Sequence, residues 1–262
     1  MPDIALSVIL ITKNEAHHVR DCLASVAFAD EWIVLDSGST DATCAIAAAM
    51  GATVVVTPDW PGFGAQKNRA LALARGTWVL SIDADERLSS ELALSVRAAV
   101  AAGMSAQADR GDAPSGYALS RISSFCGQWM RHGDWYPDRV PRLFKRASGR
   151  FSDDRVHERL IVDGPVVRLE GELLHDTMPS LEDALDKLNR YTSGRARDLV
   201  QRGRRGGLAL ALAHGLWAFV RCYAFKRGFM DGRMGLVLAL YVAQSTYYRY
   251  LKMAFALPDT AK

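Results

Sequence analysis

The chain has 262 residues, 49% of them hydrophobic, which is enough apolar material for one full core plus an appendage. Its four cysteines, Cys22, Cys44, Cys126 and Cys222, are scattered without a C-x-x-C pair. That excludes a disulfide framework or a cysteine zinc site and fits a reducing compartment. The net charge of +3 hides an asymmetry: residues 195–252 carry eleven Lys and Arg against Asp198 and Asp231, so the rest is net acidic. An acidic head and a basic, apolar tail suggest two tasks for two regions.

In chain order, Leu6 to Thr12 is an apolar strand, and Glu15 to Ala27 is helical with Val19, Leu23 and Val26 on one face. Met1-Pro2-Asp3-Ile4 lacks the basic start of a signal peptide. Trp32 to Leu35 is the next strand, and Thr40 or Asp41 caps an Ala-rich helix to Met50. Strand Thr53 to Thr57, helix Ala65 to Ala74 and strand Trp78 to Ile82 follow. Such alternation predicts βαβ units and a mainly parallel sheet covered by helices. A helix over Ser89 to Ala101, a surface loop over 103–116 and a strand over Tyr117 to Ser124 come next. Trp129 to His175 reads as irregular, and Leu181 to Gln201 as an amphipathic helix.

Polar clusters close the first strands. Ile11-Thr12-Lys13-Asn14-Glu15, Asp36-Ser37-Gly38-Ser39-Thr40-Asp41 and Ala65-Gln66-Lys67-Asn68-Arg69 each lie at a strand C-terminus or helix N-terminus. They should converge on one rim, where open α/β sheets bind ligands. Lys67 supplies positive potential for phosphate, and Asp36 an acceptor for a base or ribose, unless it merely shapes the turn. After the fourth strand stands Ile82-Asp83-Ala84-Asp85-Glu86. In an extended segment Asp83 and Asp85 point to one side, a pair of hard oxygen ligands suited to Mg²⁺ or Mn²⁺. The bland alternative makes one of them the N-cap of the following helix.

These four motifs, in this order and at this spacing, resemble the signature of family 2 glycosyltransferases. The resemblance implies a GT-A nucleotide-sugar-binding fold, with a mostly parallel central sheet, flanking helices and a divalent metal (Mg²⁺ or Mn²⁺). It places Thr12, Glu15 and Asp36 around the uridine, with Asn14 and Ala84 also in the nucleotide-sugar set. Lys67 would approach the nucleotide, Asp83 the donor ribose or sugar, and Asp85 the metal. Trp135-Tyr136-Pro137-Asp138, Pro141-Arg142-Leu143-Phe144, Val156-His157-Glu158 and Leu174-His175 resemble the small bacterial enzymes that add glucose to the lipopolysaccharide inner core.

An inverting transfer needs a base beyond the Asp-x-Asp. Glu158 is the first choice, then Asp154 and Asp153, with Asp134 behind; a salt bridge to Arg155 or Arg159 is the alternative for Glu158. His175 would complete the metal shell or contact the diphosphate. Arg142 would pair with a phosphate or fix the loop, and it is grouped with Trp135 and Tyr136 at the acceptor. The two rings suit stacking on a sugar, or ordinary burial.

The expected domains are a catalytic domain over 1–178 and a helical, basic, apolar extension over 179–262. Within the extension, the apolar runs 207–220 and 234–248 are each about 15 residues, short of the roughly 20 that span a bilayer. They read as interfacial helices on an anionic membrane surface, with a packed subdomain or a homodimer interface as alternatives. Nucleic acid does not suit so apolar a tail. The sequence therefore predicts an enzyme moving a hexose, glucose from UDP-glucose first, to a lipopolysaccharide core or related glycolipid. It would sit peripherally on the cytoplasmic face of a bacterial inner membrane. A sugar nucleotidyltransferase and a non-catalytic nucleotide-sugar-binding scaffold are the rivals.

Overall fold

The computed structural model describes residues 4–105, 113–152 and 158–255, which divide into two units. The first takes residues up to Arg121 together with Asp138–His175; the second takes Ile122–Pro137 and the chain from Asp176 onward. The helical unit thus includes 122–137, a stretch well before the chain's final third.

In chain order the first unit contains β1 (Leu6–Thr12), α1 (Val19–Ser25), β2 (Glu31–Asp36), α2 (Thr43–Ala49) and β3 (Thr53–Val56). Then come α3 (Phe63–Leu73), β4 (Trp78–Ser81), β5 (Glu86–Leu88), α4 (Ser90–Gly103) and β6 (Gly116–Phe125). After the short β7 (Gln128–Trp129) the chain forms β8 (Asp138–Lys145), β9 (Gly149–Phe151), β10 (Leu160–Val162) and β11 (Val166–Met178). The far ends of β6 and β11 belong to the second unit. That unit also holds α5 (Leu181–Gln201), α6 (Leu208–Val220) and α7 (Gly232–Phe255).

The main sheet runs β3-β2-β1-β4-β8-β6-β11-β5, with β7 beside β6. It is parallel from β3 to β4. Beyond β4 it turns antiparallel at β8 and β6, and β5 is antiparallel to β11. β9 and β10 form a separate hairpin. This is a mixed α/β, GT-A-like architecture. Leu6, Val8 and Leu10 of β1 join one core with residues of α1 and α4, while Ile9 joins the opposite core with Ala70 and Ala74 at α3. Both faces of the parallel half are covered, so its strands read as continuous apolar runs.

Several elements differ from the sequence reading. α1 begins four residues late because the amides of Asn14, Glu15 and Ala16 are taken by side chains of the loop after β2 and of Thr43 at the start of α2. Neither Asp83 nor Asp85 caps α4; Ser89 does, accepting from Leu92 N at 3.2 Å. The stretch expected to be irregular holds most of the antiparallel half. Its alternation is masked by an inward Arg142 on β8 and by Gly171 in β11, where φ is +92° and a Cβ would meet Leu92 N at 2.3 Å. There the backbone of Glu172 pairs with Ser89, so β11 is pinned against the start of α4.

The second unit has its own apolar cluster of Phe125, Met130, Met178, Leu188, Leu238 and Tyr241. Leu181 opens α5 as expected, with Ser180 accepting from Asp183 N. α6 runs on through a π-helical turn, Arg221–Phe225, so that helix is longer than its apolar run suggested.

One polar knot ties the parallel strands. Glu31 accepts from Ser7 Oγ at 2.6 Å and from Arg75 N and Nε at 3.0 and 2.6 Å. Burial pushes its carboxyl up, but the hydrogen bonds from Ser7 and Arg75 and the arginine charge outweigh that and hold it below the usual range. A folded-state value that is depressed gives stability present above the unfolded carboxylate range and lost as pH falls through the folded value. Glu31→Gln should therefore cost about 1–2 kcal/mol at pH 7 in urea unfolding. The gap should narrow as pH falls below the unfolded carboxylate range and through the depressed folded value, where the wild-type carboxylate also protonates. A difference independent of pH would show that charge contributes nothing here.

Candidate active site

The carboxyl ends of β1 and β2 are laced into one rim. Asp36 is fully buried and accepts from Thr12 Oγ1 at 2.8 Å, from Gly38 N and Ser39 N at 2.9 and 2.7 Å, and from Ser39 Oγ. Burial raises its carboxyl, and these hydrogen bonds, chiefly from Ser39, bring it below its ordinary value. Asp36 and Thr12, expected around the base, are thus occupied in shaping the loop. Exposed Asn14 takes a left-handed φ of 57°. Its N–H donates to Ser39 Oγ at 2.8 Å, and its Oδ1 accepts from Thr40 N at 2.8 Å. Glu15 N donates to Thr43 Oγ1, and its carboxylate meets His18 Nδ1 at 3.1 Å. Gln66 at the start of α3 closes the rim by donating to Ser37 Oγ at 3.0 Å. Asn14 and Glu15 keep exposed or half-exposed side chains at this edge.

Beyond β4 the chain does not stay extended. Glu86 N donates to Asp83 O at 2.9 Å, which closes a turn over Asp83-Ala84-Asp85-Glu86. The two aspartates are therefore directed by a turn rather than by strand alternation, and each has its own partners. Ala84 is 5% exposed, so that methyl faces inward. Asp83, a third exposed, meets Lys67 Nζ at 3.0 Å and Arg142 Nη2 at 2.6 Å. Burial raises its carboxyl, but the charges of Arg142 and Lys67 and their hydrogen bonds hold it far below the carboxylate range.

Beneath lies the anchor. Glu86 is wholly buried and accepts from Asp83 N at 2.9 Å, Arg142 Nη2 at 2.6 Å and Arg121 Nη1 at 3.3 Å. Burial lowers the Arg142 guanidinium, and Asp83 with Glu86 more than reverse this, leaving it above its usual value. Arg121 in turn donates to Asp138 at 2.7 Å. Arg142, expected at the acceptor, on a phosphate or fixing the loop, lies under the acidic turn and donates to both Asp83 and Glu86. Lys67, expected at the nucleotide, is 4% exposed and joins Asp83 to Glu158 Oε1, the latter at 2.9 Å. Buried Cys22 also touches this turn, its Sγ 3.5 Å from Asp83 O. Burial first, then Glu86 and Asp83, push that thiol up, so it stays neutral.

Asp85 stands apart from the anchored group. His175 is the register partner of Glu86 across the β11–β5 pair, and this brings its Nε2 to 3.3 Å from Asp85 Oδ2. Both side chains are partly exposed. A carboxylate oxygen and an imidazole nitrogen so close can reach one ion at about 2.1 Å, a donor pair suited to Mg²⁺ or Mn²⁺. No group of three or more His, Cys, Asp or Glu positioned for a metal occurs among the described residues. Asp83, Asp85, Glu86, Asp138 and Glu158 outnumber Lys67, Arg121 and Arg142, and this excess of negative charge favours a cation.

The remaining expectations fall elsewhere. Asp154, Asp153 and His157 lie outside the described residues. Trp135 and Tyr136 belong to the second unit, where Trp135 packs edge-on against Phe125 and Tyr241 at 5.6 and 6.2 Å. Ordinary burial accounts for Trp135, and Tyr136 is half-buried. Asp134, the last alternative base, pairs with Arg221 at 2.7 Å. Sequence reasoning missed Arg121 and gave Glu86 no role; a lone arginine in an apolar strand, with a glutamate beside the Asp-x-Asp, was the available signal.

Residues 7–105 match the family model for glycosyl transferase family 2. A glycosyltransferase of Rickettsia felis is 31% identical over 96% of this chain and 90% of its own. The lipopolysaccharide core biosynthesis glycosyltransferase LpsC of Rhizobium meliloti is 29% identical over the whole chain and 98% of its own. Among solved structures, glucosyl-3-phosphoglycerate synthase of Mycobacterium tuberculosis, in complex with Mn²⁺, UDP and glucosyl-3-phosphoglycerate, is 30% identical. That match covers 46% of this chain and 44% of the other, with a TM-score of 0.35. The rim motifs, the acidic turn and an alignment running almost from end to end lead to one conclusion: the chain belongs to glycosyl transferase family 2.

Proposed function

We propose that this glycosyltransferase moves a hexose, glucose from UDP-glucose in the first instance, to a lipopolysaccharide core or related glycolipid with inversion. One observation carries the chemistry: the Asp83–Glu86 turn sets one carboxylate on buried cations and leaves Asp85 beside His175 at the rim. The full-length likeness to a lipopolysaccharide core glycosyltransferase supports the acceptor class. All the relatives reported above are bacterial, and we place the reaction at the cytoplasmic face of the inner membrane.

Asp85 and His175 would hold Mg²⁺ or Mn²⁺, which when bound neutralises the charge that develops on a departing diphosphate. Asp83 presents its exposed edge to donor hydroxyls, kept ionised and in place by Lys67 and Arg142. Asn14 and Glu15 stand where the nucleoside end would lie. Glu158, steadied through one oxygen by Lys67, receives the proton of the attacking acceptor hydroxyl. Arg142 is a positioning residue, acting through Asp83 and Glu86.

UDP release from a panel of UDP-sugars, with a glycolipid extract as acceptor and with or without EDTA, tests the whole reading. Pyrophosphate release would indicate a nucleotidyltransferase, and UDP binding with neither transfer nor hydrolysis a scaffold. Asp85→Asn should lower metal-supported turnover by at least about 100-fold and weaken Mn²⁺ binding in a direct titration. The variant's stability should stay within about 0.5 kcal/mol, as befits a rim side chain. Unchanged Mn²⁺ affinity would remove Asp85 from the metal site.

Glu158→Gln keeps the shape and the acceptor for Lys67 but cannot take a proton. Its kcat should fall by at least about 100-fold while UDP affinity stays within about threefold. Retained kcat would transfer the base role to another carboxylate. Arg142→Leu should destabilise the fold by about 3–5 kcal/mol, because two carboxylates lose their buried partner. Arg142→Lys should recover part of the stability but little kcat; equal recovery of both would mean Arg142 is only structural.

A further inference from the structure

α6 is built inside out. Its buried residues are Ala211, Gly215 and Ala218, followed in the π turn by Cys222, so one small side chain recurs at each turn. This stripe lies against α7 at close range: a Cβ on Gly215 would sit 3.2 Å from Tyr247 Cβ and 3.3 Å from Ala243 O. The large apolar side chains face away. Leu208 is 58% exposed, Leu212 57%, Leu216 66% and Trp217 55%, with Leu210 and Phe225 also exposed. At 100° per residue these six cover more than half of the helix circumference. α7 continues the surface with exposed Leu236, Val237 and Leu240.

A helix solvated by water buries its large residues and exposes small or polar ones. The reverse arrangement, small residues between helices and large ones outward, is how helices pack where the surroundings are themselves apolar. Charge supplies the second, independent indication. Arg202, Arg204 and Arg205 precede α6, and Lys226, Arg227 and Arg233 follow its π turn, all exposed. Basic side chains thus bracket the apolar surface at both ends, as headgroup phosphates require. The segment Leu208–Phe225 is also long and apolar enough to cross a membrane by length and composition, and only 22% of it is buried.

We infer that the outward face of α6, with the first half of α7, is embedded in the acyl region of an anionic phospholipid bilayer. The flanking arginines and lysines lie at the headgroups. Apolar insertion provides most of the binding and charge selects the lipid. This inference is independent of the donor and acceptor assigned above, because it concerns the second unit alone and is read without turnover.

The experiment is flotation of the full chain with vesicles of phosphatidylglycerol and phosphatidylethanolamine, compared with phosphatidylcholine alone. The protein should float with the anionic vesicles, and most should remain bound in about 1 M NaCl, where exposed charges are screened. Leu212→Asp combined with Leu216→Asp should reduce the bound fraction at least about tenfold, with circular dichroism and thermal midpoint unchanged. Lys226→Glu with Arg227→Glu should weaken binding to anionic vesicles and leave phosphatidylcholine unaffected. Trp217 emission should shift to the blue on vesicles, a readout that does not depend on the variants folding. Absence of flotation, complete release by salt, or normal flotation of the double aspartate variant would each overturn the inference. So would a lipid-free dimer in light scattering that the aspartates dissociate, since a second copy would then be the occupant.

Discussion

The first unit depends on a single nitrogen. Arg142 Nη2 lies 2.6 Å from both Asp83 and Glu86, one carboxylate facing the rim and the other wholly enclosed. Removing these charges from water costs several kcal/mol per ion, and their attraction compensates only where geometry and further hydrogen bonds are good. Here they are good: Glu86 has three donors, and Asp83 has Lys67 as a second cation. The consequence is geometric. β8 supplies Arg142, β6 Arg121, α3 Lys67, and β4 runs into the turn that carries both carboxylates. None of these elements can shift without leaving a buried charge unmatched, so the turn is held from below by the antiparallel half of the sheet and from the side by α3.

This dependence explains which parts of the fold could be read from sequence. Strands β1, β2 and β4 are short, largely apolar runs, and composition places their ends to within one residue. α5 also reads directly, because its polar face is set against an apolar one by a 3.6-residue period. Of the antiparallel half, β6 reads directly but β8 and β11 do not. β8 places Arg142 in the interior, and a charged inward residue looks like loop where a strand is expected. β11 carries Gly171 with positive φ, which breaks its alternation. At β8 the ambiguity and the site share one cause, since the Arg142 that obscures the strand pattern also anchors the acidic turn.

The candidate site shows a similar division. The motifs identified the rim and the carboxylates that follow β4, but read them as extended, whereas they lie in a turn closed by Glu86 N and Asp83 O. They did not show which side chains are exposed. Asp36, Thr12 and Lys67 look like ligand contacts in sequence, yet each is buried in hydrogen bonds or ion pairs that shape the loops. Their neighbours Asn14 and Glu15 keep exposed or half-exposed side chains at the same edge. The pairing of His175 with Asp85 comes from strand register, 90 residues apart in sequence, and no local pattern contains it.

The contrast between the two aspartates has a further consequence for how such a turn can work. Asp83 is already neutralised by Lys67 and Arg142, so an approaching cation gains little from it and a hydroxyl donor finds a fixed acceptor. Asp85 has an imidazole in place of a guanidinium or ammonium, a partner that can itself ligate a metal through a ring nitrogen. On the proposed reading, a divalent ion at Asp85 would relieve negative charge where the protein has left it in excess. Adding it at Asp83 would compete with two buried cations, Lys67 and Arg142, already paired with that carboxylate. The order of the motif, with Asp83 nearest the strand and Asp85 beyond it, places one residue between a carboxylate held by two cations and one that lies beside an imidazole. Ala84 between them is buried, and the Glu86 N to Asp83 O hydrogen bond closes the turn around it.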